Sequence, residues 1–144
     1  MTLETQATSS AEPAPARPRL RLLVVDDSEA IRIYMRARLG AVAEGCYELE
    51  IETAPTGEAA LERCAAQAFD LVFLDVVMPG MGGFEACRQI KANHGTPVAI
   101  VSSLRGQDEH TSAFKAGCDS YLDKPIQESE LRDLLRQVAL GMLG

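Results

Sequence analysis

Short apolar runs alternate with amphipathic segments from residue 20 onward. Most of these runs are dense in Val, Ile, Leu or Phe, which is typical of strands covered on both faces. The segments between them carry apolar residues at helical spacing. This alternation predicts repeated strand–helix units around a parallel sheet. The predicted strands are residues 20–25, 47–53, 70–74, 97–101 and 119–122.

The second predicted strand differs from the others, because polar and apolar residues alternate strictly from Tyr47 to Thr53. Strict alternation is typical of a strand with one solvated face, so we expect this strand at an edge of the sheet. With right-handed crossovers, such strand–helix units form an open, doubly wound α/β sheet. We therefore predict five helices around a five-stranded parallel sheet in the flavodoxin-like order 2-1-3-4-5.

Capping residues mark the ends of the predicted helices. Ser28, Thr56 and Ser129 stand where helices should begin, because their side-chain oxygens can accept hydrogen bonds from first-turn amides. Gly95 and Gly117 stand where helices should stop. The apolar stripes between these ends are predicted to face the core, and they comprise Ile31, Met35, Leu39, Leu61, Cys64, Ala65, Phe84, Cys87, Ile90, Ala113, Phe114, Leu131, Leu134, Leu135 and Val138.

Three aspartates directly follow predicted strands. Asp26 and Asp27 come after the first strand, and Asp75 comes after the third. A lone carboxylate in such a place is commonly a helix cap or a turn residue. Three carboxylates at one sheet edge repel one another unless a cation neutralises them, so together they predict a divalent-metal site.

Ser102 and Lys124 follow the fourth and fifth predicted strands, at the same sheet edge as the aspartates. In a doubly wound sheet, ligands bind beyond the carboxyl ends of the strands, where the strand order reverses. This set of groups suits phosphoryl transfer, with Asp75 as the nucleophile and Mg²⁺ and Lys124 neutralising the phosphoryl oxygens. Taken singly, Lys124 would be an ordinary surface lysine and Ser102 an ordinary strand-end hydroxyl.

Composition argues against several classes of function. The 144-residue chain has a formal net charge of −7 and no tryptophan, so it lacks the basic field and stacking surface expected for direct nucleic-acid binding. It has no apolar stretch of the roughly 18 residues that a membrane span needs, and no signal peptide, so we expect a cytoplasmic protein. We expect reduced thiols, packed as small hydrophobic groups, at Cys46, Cys64, Cys87 and Cys118.

Residues 1–18 are rich in Thr, Ser, Ala and Pro and have almost no large apolar side chains. Such a composition cannot bury enough surface to offset the entropy of ordering. We therefore predict a disordered N-terminal tail at 1–18 and one folded domain at 19–144.

Four blocks of sequence resemble the motifs of two-component response-regulator receiver domains. They are LLVVDDS at 22–28, LDVVMPGMGG at 74–83, Ser102 after the fourth strand, and AGCDSYLDKP at 116–125. The resemblance covers the chain from about Leu20 to its C-terminus. It implies a phosphorylation switch rather than an enzyme, with Mg²⁺ as the metal and Mn²⁺ as an alternative. A histidine kinase or a phosphotransfer protein would supply the phosphoryl group.

The resemblance also implies roles for the residues around the metal. Asp75 takes the position of the phosphoacceptor and is a metal ligand as well. Asp27 corresponds to a direct metal ligand, and Asp26 to a residue that acts through metal-bound water. The residue two positions after the phosphoacceptor offers its backbone carbonyl to the metal, which here would be Val77.

Three further residues match the phosphate-binding and switch positions of the family. Ser102 and Tyr121 take the hydroxyl and aromatic switch positions, and Lys124 takes the phosphate-binding position. The peptide bond between Lys124 and Pro125 is expected to be cis. Serine replaces the commoner threonine at the hydroxyl position, which leaves the switch chemistry in place.

Phosphorylation is expected to change a protein-binding surface formed by the fourth helix, the fifth strand and the fifth helix. The domain would be a monomer or a phosphorylation-dependent dimer. Because the sequence stops at Gly144, directly after the fifth helix, we expect a stand-alone regulator, with a fragment of a longer regulator or hybrid kinase as the alternative. An aspartyl-phosphate phosphatase is a weaker alternative, because Val77 stands where haloacid-dehalogenase phosphatases usually carry a second aspartate.

Overall fold

The structure, a computed structural model, describes residues 16–104 and 106–143. The strands are β1 (Arg19–Val25), β2 (Glu48–Ala54), β3 (Leu71–Asp75), β4 (Val98–Ser102) and β5 (Ser120–Asp123). The helices are α1 (Glu29–Ala43), α2 (Gly57–Ala66), α3 (Gly83–His94), α4 (Gln107–Lys115) and α5 (Glu128–Ala139). Within the described ranges, no helix is both long and apolar enough to cross a membrane. Apart from residues 16–18, the predicted N-terminal tail lies outside these ranges.

The strands form one parallel sheet in the order β2-β1-β3-β4-β5. The predicted strand order and the doubly wound α/β class are therefore confirmed. β2 lies at an edge of the sheet, as its strict alternation predicted. The chain runs outward from β1 to β2 and then crosses back to β3, so the strand order reverses between β1 and β3. Ligand-binding crevices of such sheets lie at this reversal.

The register of the sheet brings the ends of the strands into line. The last residue of β1 pairs with the residue before Asp75, so Asp26, directly after β1, and Asp75, the last residue of β3, lie at the same level. Farther along the sheet, Ser102 pairs with the residue that precedes Lys124. All four side chains therefore start from the carboxyl edge of the sheet.

Each face of the sheet carries its own apolar core, because successive strand residues point to opposite faces. One core lies under α2, α3 and α4 and includes Leu23, Leu74 and Ile100. The other lies under α1 and α5 and includes Leu22 and Phe73. The central strands are thus covered on both faces, which explains why their sequences are apolar without alternation.

Most of the predicted helix caps are confirmed. The Ser28 side chain accepts a hydrogen bond from the amide of Ile31, and Thr56 does the same for Ala59. The expectation for Ser129 was wrong, because α5 is capped by Gln127 instead. Gln127 and Glu130 form a reciprocal capping box that satisfies amides at both ends of the first turn, so Ser129 falls inside the helix.

Two residues of the predicted apolar stripes do not face the core. Phe114 on α4 is 55% exposed, and Ala113 is the only buried residue that α4 contributes among those described. Ala65 on α2 is also exposed. Helical spacing identifies a face of a helix, but it cannot show whether neighbouring elements reach far enough to cover that face.

The cysteines are free thiols, and three of them are buried as predicted. Burial raises the pKa of Cys64 and of Cys118 to about 11 and that of Cys87 to about 12, so these thiols stay protonated. The prediction was wrong for Cys46, which is exposed in the turn after α1. The backbone of that turn bonds back to the end of the helix and leaves the Cys46 side chain in solvent.

Candidate functional site

The three predicted aspartates lie together at the carboxyl edge of the sheet. One carboxylate oxygen from each of Asp26, Asp27 and Asp75 lies within 4.8 Å of the other two. Asp26 and Asp75 are buried, whereas Asp27 is exposed. A compact set of carboxylate oxygens with one open side is the donor set that Mg²⁺ prefers, since this ion keeps several of its waters. The residues present therefore fit the predicted metal.

The turn between β1 and α1 fixes the orientation of Asp26. Its backbone amide donates to the carbonyl of Ala54 at 3.1 Å, and the Arg32 guanidinium donates to its carbonyl at 2.7 Å. The amide of Ser28 donates to Asp26 Oδ1 at 2.9 Å. One oxygen of the Asp26 carboxylate is therefore bonded to the backbone, which leaves the other oxygen for the interior of the site.

Lys124 supplies a positive charge opposite the aspartates. Its Nζ lies 3.4 Å from Asp75 Oδ1 and 3.5 Å from Asp26 Oδ2. Burial raises the pKa of Asp75, the positive charge of Lys124 opposes this increase, and the negative charge of Asp26 adds to it. The net direction is upward, so desolvation and the repulsion from Asp26 together outweigh the attraction of Lys124.

The loop between β3 and α3 needs glycine at Gly83, where it enters the helix. A Cβ at this position would lie 2.1 Å from the carbonyl oxygen of Asp75, which no side chain can tolerate. The Gly83 amide donates to the carbonyl of Val76 at 2.9 Å and closes the loop. Glu58 on α2 accepts a hydrogen bond from the Met81 amide at 3.2 Å. These contacts determine the course of the segment that contains Val77.

The loop after β5 carries Lys124 into the site. The Lys124 amide donates to the carbonyl of Ser102 at 2.8 Å, which ties this loop to the end of β4. The Lys124–Pro125 peptide bond is cis. The Ile126 side chain is buried in the core under α1 and α5, and its carbonyl accepts a hydrogen bond from Arg38 at 2.8 Å.

Ser102 and Tyr121 are connected through Leu104, in the loop after β4. Ser102 is buried, and its Oγ accepts a hydrogen bond from the Leu104 amide at 2.9 Å. The Tyr121 hydroxyl donates to the Leu104 carbonyl at 3.3 Å. The Tyr121 ring packs against His110 of α4, with ring centroids 4.0 Å apart. Tyr121 therefore contacts the loop and α4, and it has no hydrogen bond to the carboxylates among the described contacts.

Sequence reasoning missed Arg32, Arg38 and Glu58, which support the site without belonging to a motif. Each lies on a predicted helix, where a charged residue normally indicates only a solvated face. Arg32 stands six residues after Asp26, near the start of the following helix, and this short separation in the chain was the one available signal. The partners of Arg38 and Glu58 lie 88 and 23 residues away, and no local pattern indicates such contacts.

Comparison with known proteins agrees with this geometry. The family model described as "Response regulator receiver domain" matches residues 22–136. Response regulator PleD of Caulobacter vibrioides is 37% identical over 111 residues, which are 75% of this chain and 23% of PleD. The transcriptional regulatory protein ResD of Bacillus subtilis is 33% identical over 120 residues, 83% of this chain and 47% of ResD. The chain thus spans half or less of these two curated relatives.

Solved structures of receiver domains have the same fold. The receiver domain of the Francisella response regulator 1452 is 26% identical, with a TM-score of 0.74 over 85% of this chain and 98% of that domain. The chemotaxis protein CheY4 of Vibrio cholerae is 28% identical, with a TM-score of 0.71 over 85% of this chain and 99% of CheY4. The family model alone covers well over half of the chain. This chain therefore belongs to the family of response-regulator receiver domains of two-component systems.

Proposed function

We propose that Asp75 accepts a phosphoryl group from a histidine kinase or a phosphotransfer protein, in a Mg²⁺-dependent reaction that switches a protein-binding surface. The observation that carries this proposal is the position of the Asp75 carboxylate. One of its oxygens lies within 4.8 Å of the Asp26 and Asp27 carboxylates, and its Oδ1 lies 3.4 Å from the Lys124 ammonium. A nucleophile flanked by a cation site and a fixed positive charge suits phosphoryl transfer.

In the proposed reaction, an Asp75 carboxylate oxygen attacks the phosphorus of a phosphohistidine. A bond forms between that oxygen and phosphorus, and the phosphorus–nitrogen bond breaks. The electron pair of the broken bond stays on the imidazole nitrogen, which takes up a proton. Lys124 and the Ser102 hydroxyl bind the transferred phosphoryl oxygens. The product is an acyl phosphate on Asp75.

Asp27, Asp75 and the carbonyl of Val77 would hold the Mg²⁺, with Asp26 acting through bound water. The bound ion supplies positive charge that neutralises the phosphoryl oxygens during transfer. The clustering of the three carboxylates supports this assignment. Mn²⁺ has the same preference for oxygen ligands and would serve in its place.

Phosphorylation of Asp75 is proposed to act on the rest of the molecule through Ser102. The Ser102 hydroxyl has one proton to donate, and the new phosphoryl oxygens would accept it and draw the side chain toward Asp75. Movement of Ser102 strains its hydrogen bond to the Leu104 amide and, through the Leu104 carbonyl, the contact with Tyr121. The face formed by α4, β5 and α5 would then bind the downstream protein. Its surface would change because the loop after β4 shifts from one conformation to another.

A groove beside Asp75 supports docking of the phosphodonor. It has a volume of about 360 Å³ and lies between α1 and the loop after β5. Apolar side chains such as Ile31, Met35 and Ile126 line it, and Asp75 also contributes to its lining. An apolar surface next to the acceptor would let a partner helix present its phosphohistidine to Asp75.

The free thiols of the chain support placing this reaction in the cytoplasm.

Chemical phosphorylation tests the proposal. Incubation with acetyl phosphate and Mg²⁺ should add one phosphoryl group to the protein, measured by intact mass spectrometry. The Asp75→Asn variant should take up none, because the amide is not a nucleophile. Asp133→Asn, which changes an exposed carboxylate on α5, should be labelled like the unaltered protein. Undiminished labelling of Asp75→Asn would refute the assignment. Transfer from a phosphorylated histidine-containing partner would then establish the donor class.

A further inference from the structure

Arg38, on α1, reaches across to the loop that carries Lys124. Its Nη1 donates to the carbonyl of Ile126 at 2.8 Å and to the Tyr34 hydroxyl at 3.0 Å. The guanidinium carbon also lies 5.6 Å from the centroid of the Tyr34 ring. The Arg38 side chain is half-buried, so water competes less for these bonds than at an open surface. Tyr34 thus helps to hold the guanidinium in place.

The bonded carbonyl lies two residues after Lys124 in the chain. The segment between them contains the cis bond to Pro125. On the other side, the Lys124 amide is tied to the carbonyl of Ser102 at 2.8 Å. The short loop is therefore held at two points, one on β4 and one on α1. The direction in which the Lys124 side chain leaves the backbone depends on both.

We propose that Arg38 is a positioning residue for Lys124. Through the Ile126 carbonyl it sets where the ammonium lies relative to a phosphoryl group on Asp75. This inference rests on the proposed function, because it concerns the lysine that would bind that phosphoryl group. Arg38 itself touches neither the carboxylates nor the transferred group among the described contacts.

Measuring the affinity for two ligands, Mg²⁺ and beryllofluoride, distinguishes a positioning role of Arg38 from a general contribution to the stability of the fold. Mg²⁺ alone would be bound by Asp26, Asp27 and Asp75, which lie at the ends of β1 and β3 and which Arg38 does not touch in the part of the chain that the structure describes. Beryllofluoride, a phosphoryl mimic, would in addition need the Lys124 ammonium. A variant that only misplaces Lys124 should bind the mimic less tightly and bind Mg²⁺ as before or more tightly, because a competing positive charge has moved away.

The experiment compares both affinities in Arg38→Met, by titration calorimetry on the full chain. We expect beryllofluoride affinity to fall about tenfold, the size of effect typical of residues that orient a ligand-binding group. We expect Mg²⁺ affinity to stay unchanged or to rise. Arg38→Lys keeps one donor for the Ile126 carbonyl and should recover part of the loss. It also carries the test if Arg38→Met does not fold.

Two matched variants complete the comparison. Arg36→Met removes a charge from an exposed position of the same helix and should change either affinity by less than about twofold. Tyr34→Phe removes the hydroxyl partner but leaves the bond to the Ile126 carbonyl, so its effect should be smaller than that of Arg38→Met.

Unchanged beryllofluoride affinity in Arg38→Met, or a parallel loss of both affinities, would overturn the positioning role. If the unaltered protein itself fails to bind beryllofluoride in the presence of Mg²⁺, the proposed function fails. The two failures are therefore distinguishable, since the first requires normal binding by the unaltered protein.

Discussion

Two aspartates of the site follow β1 and the third is the last residue of β3, whereas Tyr121 and Lys124 belong to β5 and the loop beyond it. We call β1, β3 and their three aspartates the metal half, and α4, β5, Tyr121 and Lys124 the phosphate half. Every residue of β3 is buried, and β1 is buried from Leu22 onward. In the phosphate half, β5 buries only Leu122 and α4 buries only Ala113 among the described residues.

This difference matches what each half has to do. A carboxylate cluster must keep its geometry while a metal and a phosphoryl group come and go, and close packing provides that rigidity. The α4 segment has no side-chain cap at its N-terminus and leaves Phe114 exposed. Segments with few buried contacts open at a low free-energy cost, so a signal from Asp75 can shift this half without disturbing the other.

The largest expected difference between the two halves is in the free energy of unfolding. A pair of matched phenylalanine variants, one in each half, measures it. Phe73 on β3 is 1% exposed, and Phe114 on α4 is 55% exposed. Phe73→Ala should lower the free energy of unfolding by about 3–5 kcal/mol, because it removes buried surface and leaves a cavity. Phe114→Ala should change it by less than about 0.5 kcal/mol. Urea denaturation measures both, and equal losses would contradict the division into a rigid and a lightly packed half.

The next effect concerns the charge that the phosphate half brings to the reaction. Lys124→Met should slow phosphorylation by acetyl phosphate by about 10²–10³-fold, the loss typical when one group stabilising transition-state charge is removed. Mg²⁺ binding should persist, since its ligands lie in the metal half. Lys115→Met, at an exposed position of α4, is the matched control. A loss of Mg²⁺ binding in Lys124→Met would show that the two halves are not separable.

In both halves, the placement of Asp26, Asp75 and Lys124 at one edge of the sheet could be predicted from sequence. Strand length, apolar density and a polar residue directly after each strand are local signals, and the parallel order then brings Asp26 and Asp75 together. The contact of Arg38 with Ile126 could not be predicted, because its partners are 88 residues apart. Ser129 was mistaken for a cap because Gln127, two residues earlier, forms a better-satisfied box with Glu130.

The smallest expected effect is an increase in thermal stability when Asp75, in the metal half, is replaced by asparagine. Burial raises the pKa of Asp75, so its ionised form opposes folding at neutral pH. Asp75→Asn removes that charge and should raise the melting temperature by about 2–4 °C, as ~1 kcal/mol does in a domain of this size. The introduced amide loses the attraction of Lys124, but the upward direction of the Asp75 pKa means that desolvation and the repulsion from Asp26 together outweigh this attraction.

The stability gained by Asp75→Asn should depend on pH, because it arises from the raised pKa of Asp75. A carboxyl group whose pKa is higher in the folded than in the unfolded state favours folding fully below its unfolded pKa, and it loses this contribution as pH rises through the folded pKa. The difference between Asp75→Asn and the unaltered protein should therefore be largest at neutral pH, shrink as pH falls through the raised folded-state pKa of Asp75, and vanish below the unfolded-state pKa of about 3.9. Thermal unfolding followed by circular dichroism across this range measures it. A constant difference, or a loss of stability in Asp75→Asn at neutral pH, would mean that Lys124 holds the acceptor more tightly than burial disfavours it.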